Sequence, residues 1–189
     1  MISFKKLIYL VLISFLFVQC SNENKYLIEK GKVGLLSTKT TINDIESIFL
    51  KDSIVKNLSE LNEGDDESFF KKNDEYEIFS KDGEKLLEIV PLRQNDATSK
   101  LRSIQIFDSN YKTDKGVGML STFEEINSTY VINKVETTLT SATLYIDELN
   151  ATIAIDKEEL GISKFSREEI ALDQIPDVSK IKYFTIWFN

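Results

Sequence analysis

Some residues in this chain have the types and spacings that chemistry uses. Glu60, Glu63, Asp65, Asp66 and Glu67 form an acidic run around Gly64, and a hard cation such as Ca²⁺ takes several carboxylate oxygens from a flexible loop. The D-x-D-x-D-G spacing of a calcium loop is absent, and such a run also reads as a solvated loop. The carboxylate neighbours Asp147/Glu148 and Glu168/Glu169 could supply the acid and base of glycoside hydrolysis, which needs two carboxylates at a set separation. With 31 acidic residues, neighbouring carboxylates arise anywhere along the chain. Gly116-Val117-Gly118 lacks the third glycine and the lysine of a phosphate loop. It fits close backbone packing where the chain enters a helix. There is no histidine and only one cysteine, so Ser-His-Asp, Cys-His, HExxH and His-ligated zinc chemistry are all excluded. The expectation is no catalytic residue, no metal and no cofactor.

Aromatic residues offer a different kind of site. In the closing run Lys180–Phe188, strand alternation puts Phe184, Ile186 and Phe188 on one face as core, and Tyr183, Thr185 and Trp187 on the other. The matching positions of an earlier strand are Ser103, Gln105 and Phe107. Tyr183 and Trp187 thus form either a core face covered by the Arg167–Leu172 segment or an open partner-binding patch.

The N-terminus carries an address. Lys5 and Lys6 precede an apolar run, Leu7–Val18, which is long enough for a signal segment and short for a membrane span. The run ends in Phe17-Val18-Gln19-Cys20, followed by polar Ser21-Asn22-Glu23-Asn24. This resembles the lipobox of bacterial lipoproteins in the relaxed form of Bacteroidetes-type chains. The resemblance implies a signal peptide over residues 1–19, a lipidated Cys20 and a short tether over 20–30. Two or three acyl chains anchor stably where one does so only marginally. Asp52-Ser53-Ile54 matches the short signal such envelope proteins use for O-glycosylation, which makes Ser53 a candidate modification site.

Removal of Lys5 and Lys6 with the signal leaves 31 acidic against 21 basic residues, a net charge of −10. That surface argues against nucleic-acid binding and against polybasic docking on anionic lipid. About 170 mature residues suffice to bury a core without disulfides or metal.

The elements that position these residues read as an internal repeat. Gly31-Lys32-Val33-Gly34-Leu35-Leu36-Ser37-Thr38 is similar to Gly116-Val117-Gly118-Met119-Leu120-Ser121-Thr122. Thr41 precedes Asp44, and Thr122 precedes Glu125, at capping-box spacing. Ile42, Ile45 and Phe49, then Phe123, Ile126 and Tyr130, repeat one helical stripe. Hairpins are expected around Lys81-Asp82-Gly83-Glu84 and Asp147-Glu148-Leu149-Asn150. Lys100–Phe107 lines up with Lys180–Trp187 as the closing strands, and Ser166-Arg167-Glu168-Glu169 opens a further short helix. The expected fold class is therefore α+β. Residues 31–189 form a duplicated domain, each unit a short helix plus an antiparallel meander, with halves at about 31–108 and 116–188 packed together.

This layout resembles the RpoE-regulated lipoprotein family of bacterial envelopes. The features that carry the likeness are the lipobox, a glycine segment opening the domain, a central strand ending in Asp108-Ser109, and the second Gly116-Val117-Gly118. A helix and an aromatic closing strand ending Ile186-Trp187-Phe188 complete it. The cysteine pair of that family's second half is absent. The helix entry is also similar to those of BamE-like and beta-lactamase-inhibitor-like modules. Both resemblances imply a non-catalytic binding or assembly protein, not an enzyme, held to the envelope through lipid at Cys20, in the outer membrane, on its periplasmic or its surface face. Its partner is then an envelope protein or ligand. The alternatives are a small-ligand or glycan binder in the cleft between the halves, or a carboxylate-dependent hydrolase.

Overall fold

Period-two alternation and turn residues dominate the folded chain far more than helical periodicity does. The computed structural model describes residues 24–58, 74–163 and 166–188. The expected α+β class is corrected by it. The described residues form twelve strands in two sheets, and the longest helix, Phe123–Thr129, has seven residues. The protein is predominantly β. After Thr41 the chain makes a 3₁₀ turn over Ile42–Asp44 and one α-turn over Ile45–Ile48 before it stops. Helix nucleation is costly and a single turn gains little from propagation. Phe49 then drops into the core, and the β-branched run that follows leaves as a strand.

A small sheet comes first in the chain. It holds β1 (Leu27–Glu29), β2 (Lys32–Val33), β3 (Leu36–Ser37) and β8 (Lys112–Thr113), in the order β3-β2-β1-β8. The first strand pairs antiparallel with β2 and parallel with β8. Gly34, at φ 58°, lies so close to the Lys25 carbonyl oxygen that a Cβ would overlap it. A Cβ on Gly118 would come within 2.6 Å of the Tyr111 carbonyl oxygen. Both glycines thus serve close backbone approach.

The main sheet has eight strands. Its first meander is β4 (Ser53–Asn57), β5 (Glu75–Phe79), β6 (Lys85–Pro91) and β7 (Leu101–Ile106). Its second is β9 (Lys134–Thr137), β10 (Ser141–Ile146), β11 (Ala151–Asp156) and β12 (Ile181–Trp187). The order β4-β5-β6-β7-β12-β11-β10-β9 joins the meanders through an antiparallel β7–β12 pair, with Phe184 opposite Ile106 and Thr185 opposite Gln105. Register shifts occur between Val90 and Pro91 against β7, and between Ala154 and Ile155 against β12. Arg102 and Lys182 are the extra residues on the bulged strands.

The helical turns attach in matching ways. Thr41 bridges Lys100, and Thr122 bridges Lys180. Ile42 N–H donates to the Ser99 carbonyl at 3.0 Å, and Phe123 N–H to the Ser179 carbonyl at 2.9 Å. Each entry is capped from its own side chains. Asp44 accepts from the Thr41 N–H at 2.8 Å, and Glu125 accepts from the Thr122 N–H at 3.0 Å.

One face of the main sheet carries the core. Leu87, Ile104, Ile106, Leu144, Ile153, Phe184 and Ile186 are buried there with Ile45 and Ile126 of the helical turns. The segment expected to start a helix at Ser166 is not helical over residues 166–171, and only Leu172–Gln174 form a 3₁₀ turn. Tertiary anchors hold it extended. The fully buried Lys157 ammonium donates to the Ser166 carbonyl at 2.6 Å, and the Ile170 N–H donates to Thr137 Oγ1 at 2.8 Å. Ile170 joins the core, so this segment packs on the side of Phe184 and Ile186.

Candidate functional site

The other face of the main sheet is open. Alternation along β12 points Tyr183, Thr185 and Trp187 away from the core, and Tyr183 is 42% exposed. The Arg167–Leu172 segment does not cover it, because that segment lies on the core side. Trp187 is half-buried and firmly held. Its backbone N–H donates to the Asn150 carbonyl at 2.8 Å, and its carbonyl accepts from Asn150 Nδ2 at 2.9 Å. Its indole N–H donates to Thr152 Oγ1 at 3.1 Å. Asn150 adopts φ 50° at the end of the Asp147–Asn150 turn, which lets it meet the strand end from both sides. Trp187, Tyr145, Asp147, Asn150 and Thr152 border a shallow hollow of about 210 Å³.

Charges on the open face are held in pairs. Lys85 Nζ reaches Glu77 at 2.5 Å and Glu88 at 2.7 Å, and sits 4.5 Å from the Phe107 ring centre. Burial pulls the Lys85 ammonium down, but its hydrogen bonds to the two glutamates outweigh that and leave it above the ordinary lysine value. Glu136 accepts from Lys134 at 2.8 Å and also from the Tyr145 hydroxyl. Those two hydrogen bonds, Lys134 first, hold its carboxyl below the usual range. Lys182 pairs with Asp156 and lies 5.4 Å from the Tyr183 ring centre.

The carboxylate neighbours do not converge. Glu148 is tied to Lys115 at 2.6 Å, while Glu168 and Glu169 are exposed on the extended segment over residues 166–171. Among the described residues no group of three His, Cys, Asp or Glu side chains is placed to hold a metal ion. Cys20 and the acidic run around Gly64 lie outside the described residues. Ser53 is exposed at the start of the edge strand β4, sterically open to modification.

A second concavity has no counterpart in the sequence-based expectations. A groove of about 390 Å³ lies between the small sheet and the Phe49–Asp52 turn. Tyr26 and Tyr111 form its aromatic wall, in edge-to-face contact with ring centres 5.2 Å apart. Burial, and next the Asp108 carboxylate, push the Tyr111 phenol far above the ordinary tyrosine value. The sequence does carry a signal for this groove. Leu50 follows the apolar helical stripe out of phase, directly before Lys51-Asp52, and it stands 83% exposed.

The fold occurs elsewhere. No family model and no curated protein matches the chain. Among solved structures it is similar to the crystal structure of the uncharacterized protein yfeY from Escherichia coli, with a TM-score of 0.52 at 10% identity. The match covers 85% of this chain and 99% of that one, and the likeness is one of fold.

Proposed function

We propose that the protein is a lipid-anchored, non-catalytic binding or assembly protein of a bacterial envelope, held in the outer membrane through Cys20. In this reading it meets its partner with the open face of the main sheet. The observation that carries the reading is the exposure of Tyr183 in the middle of an eight-stranded sheet, on the same strand face as a Trp187 held by three hydrogen bonds. Rigid aromatic residues on a sheet face are the kind of side chain that anchors interfaces. The pairing of the face's carboxylates with lysines supports a contact surface over acid–base work. The resemblance of Phe17–Cys20 to a lipobox supports the envelope location. The test combines two measurements on cells making the full precursor. Labelled fatty acid should appear on the native protein and not on Cys20→Ser. Affinity capture of the native protein should retain an envelope partner that Tyr183→Ala loses. A stable Tyr183→Ala variant that retains every captured partner removes the open face from the reading.

A second reading rests on the hollow at Trp187. An indole with Tyr145, Asn150 and Thr152 around it has the chemistry to stack on and hydrogen-bond a small glycan. This hollow lies within the second meander. The two meanders themselves meet in hydrogen-bonded strands and not across a cleft. Soluble oligosaccharide that displaces the protein partner would favour this reading.

A further inference from the structure

We infer that the groove beside Tyr26 and Tyr111 receives a phospholipid of the membrane in which the protein is anchored. The acyl chain would lie in the groove, with the phosphate at Lys25 and Lys51. The inference rests on the lipid-anchor reading of Cys20 and deepens it by naming what the domain touches at the membrane.

Chain length makes the first argument. Only four residues, Ser21–Asn24, separate Cys20 from Lys25, which lines the groove, so the two lie five Cα steps apart. Fully extended chain spans at most about 3.6 Å per residue, so the groove edge lies within about 18 Å of a lipidated Cys20. A bilayer surface is thus an apolar phase within reach of this groove.

The lining makes the second. Tyr26, Ile48, Phe49, Leu86 and Tyr111 form an apolar floor and walls, and the volume falls in the range of ligand pockets. Leu35 is 46% exposed and Leu50 is 83% exposed at the rim. Exposed leucines flanking an apolar groove are costly in water and favourable in the boundary between headgroups and acyl chains.

Charge makes the third. The mature chain is strongly acidic, yet Lys25 and Lys51 border this groove against one carboxylate, Asp52, which leaves its mouth net cationic. Lys25 leans over the Tyr26 ring at 4.7 Å. Two cations at the mouth of an apolar slot match a phosphate above an acyl chain, and lysine is a strong point-charge donor to phosphate. Bulk attraction to anionic lipid is unnecessary, because the anchor supplies proximity and the groove supplies contact.

The test uses the full, cell-processed protein in vesicles of phosphatidylethanolamine and phosphatidylglycerol brominated on the acyl chains. An indole is introduced by Leu50→Trp and, as a remote exposed control, by Leu139→Trp; Leu139 is 61% exposed in the β9–β10 turn. Emission is corrected for native Trp187. The expected result is loss of most emission from the position-50 indole and none from position 139, with the loss weakened by adding Lys51→Glu. Equal quenching at the two positions, or cross-linking of position 50 to a second copy in place of lipid, overturns the inference. Quenching that Lys51→Glu leaves unchanged overturns the phosphate assignment. Fatty-acid labelling of the same samples separates the two readings. Labelled protein without quenching sinks the groove and leaves the anchor standing. Quenching by vesicles without any label sinks the anchor and leaves the groove.

Discussion

The indole N–H of Trp187 donates to Thr152 Oγ1 across the β11–β12 pair, at 3.1 Å. This bond fixes the largest aromatic ring of the open face in one orientation. Thr152→Val keeps the shape and removes the acceptor, leaving a half-buried N–H unsatisfied. The expected cost is about 1–2 kcal/mol in a denaturant titration. Tyr183→Ala, at a 42% exposed site, should stay within about 0.5 kcal/mol of the native protein. Equal effects at both positions would mean that the indole is not held as described.

The helical turns tie the meanders to the core through Ile45 and Ile126, both buried on the core side of the main sheet. Truncating either to Ala removes three methyl or methylene carbons from close-packed surroundings and should cost about 2–5 kcal/mol. Matched losses are expected, because both residues sit one turn beyond entries that bridge the main sheet in the same way. A loss below about 0.5 kcal/mol at either position would mark it as a surface site.

Much of the main sheet was legible in the sequence, and the reasons are local. Asp82-Gly83 and Asp147–Asn150 are turn residues between alternating runs, and both hairpins form there. Thr41 with Asp44, and Thr122 with Glu125, fixed the helix entries to the residue. The fold class was not legible, because a stripe of three apolar residues promises a helix without setting its length. Tertiary contacts set it, ending the first after one α-turn. The short strands of the small sheet carry too few residues for alternation to show. At Ser166, local capping chemistry pointed to a helix, and the buried Lys157 and the Thr137 hydroxyl overrode it. Tyr183 and Trp187 were readable as a shared face, but whether that face was covered depended on the path of residues 166–171. The groove at Tyr111 joins residues distant in sequence and left only the out-of-phase Leu50 as a trace.

Acid should destabilise the protein through identifiable carboxylates. The Thr41 backbone N–H and then its hydroxyl hold Asp44 below 3.8, and the Thr98 hydroxyl followed by Arg93 does the same for Asp96. Lys134 and Tyr145 hold Glu136 below 4.5. Groups with lowered folded values contribute stability that is present above their unfolded values and lost as pH falls through the folded ones. Lys85, raised by Glu77 and Glu88 against its burial, acts at the other end. Its contribution is present below 10.5 and lost as pH rises through the folded value. The denaturant midpoint should therefore be flat near neutrality and fall below about pH 4. Glu136→Gln should shrink the fall on the acid side. A midpoint unchanged from about pH 6 to about pH 2 refutes the assignment.

Gly34 and Gly83 offer a paired test of close approach against backbone strain. Both have positive φ, 58° and 82°. At Gly83 an added Cβ meets nothing within 4 Å, so Gly83→Ala should cost only the left-handed backbone, about 1–2 kcal/mol. At Gly34 the same strain is joined by overlap with the Lys25 carbonyl oxygen and by a 3.0 Å approach to the Tyr111 ring. The Lys25 carbonyl is backbone and cannot rotate away, so the small sheet must shift against the wall of the groove. Gly34→Ala should therefore cost clearly more than Gly83→Ala in the same titration. It should also change the near-ultraviolet circular dichroism of the Tyr26–Tyr111 pair, which Gly83→Ala leaves alone. Equal costs with an unaltered aromatic signal would show that the small sheet yields freely at Gly34, and that the groove wall is not built on that contact.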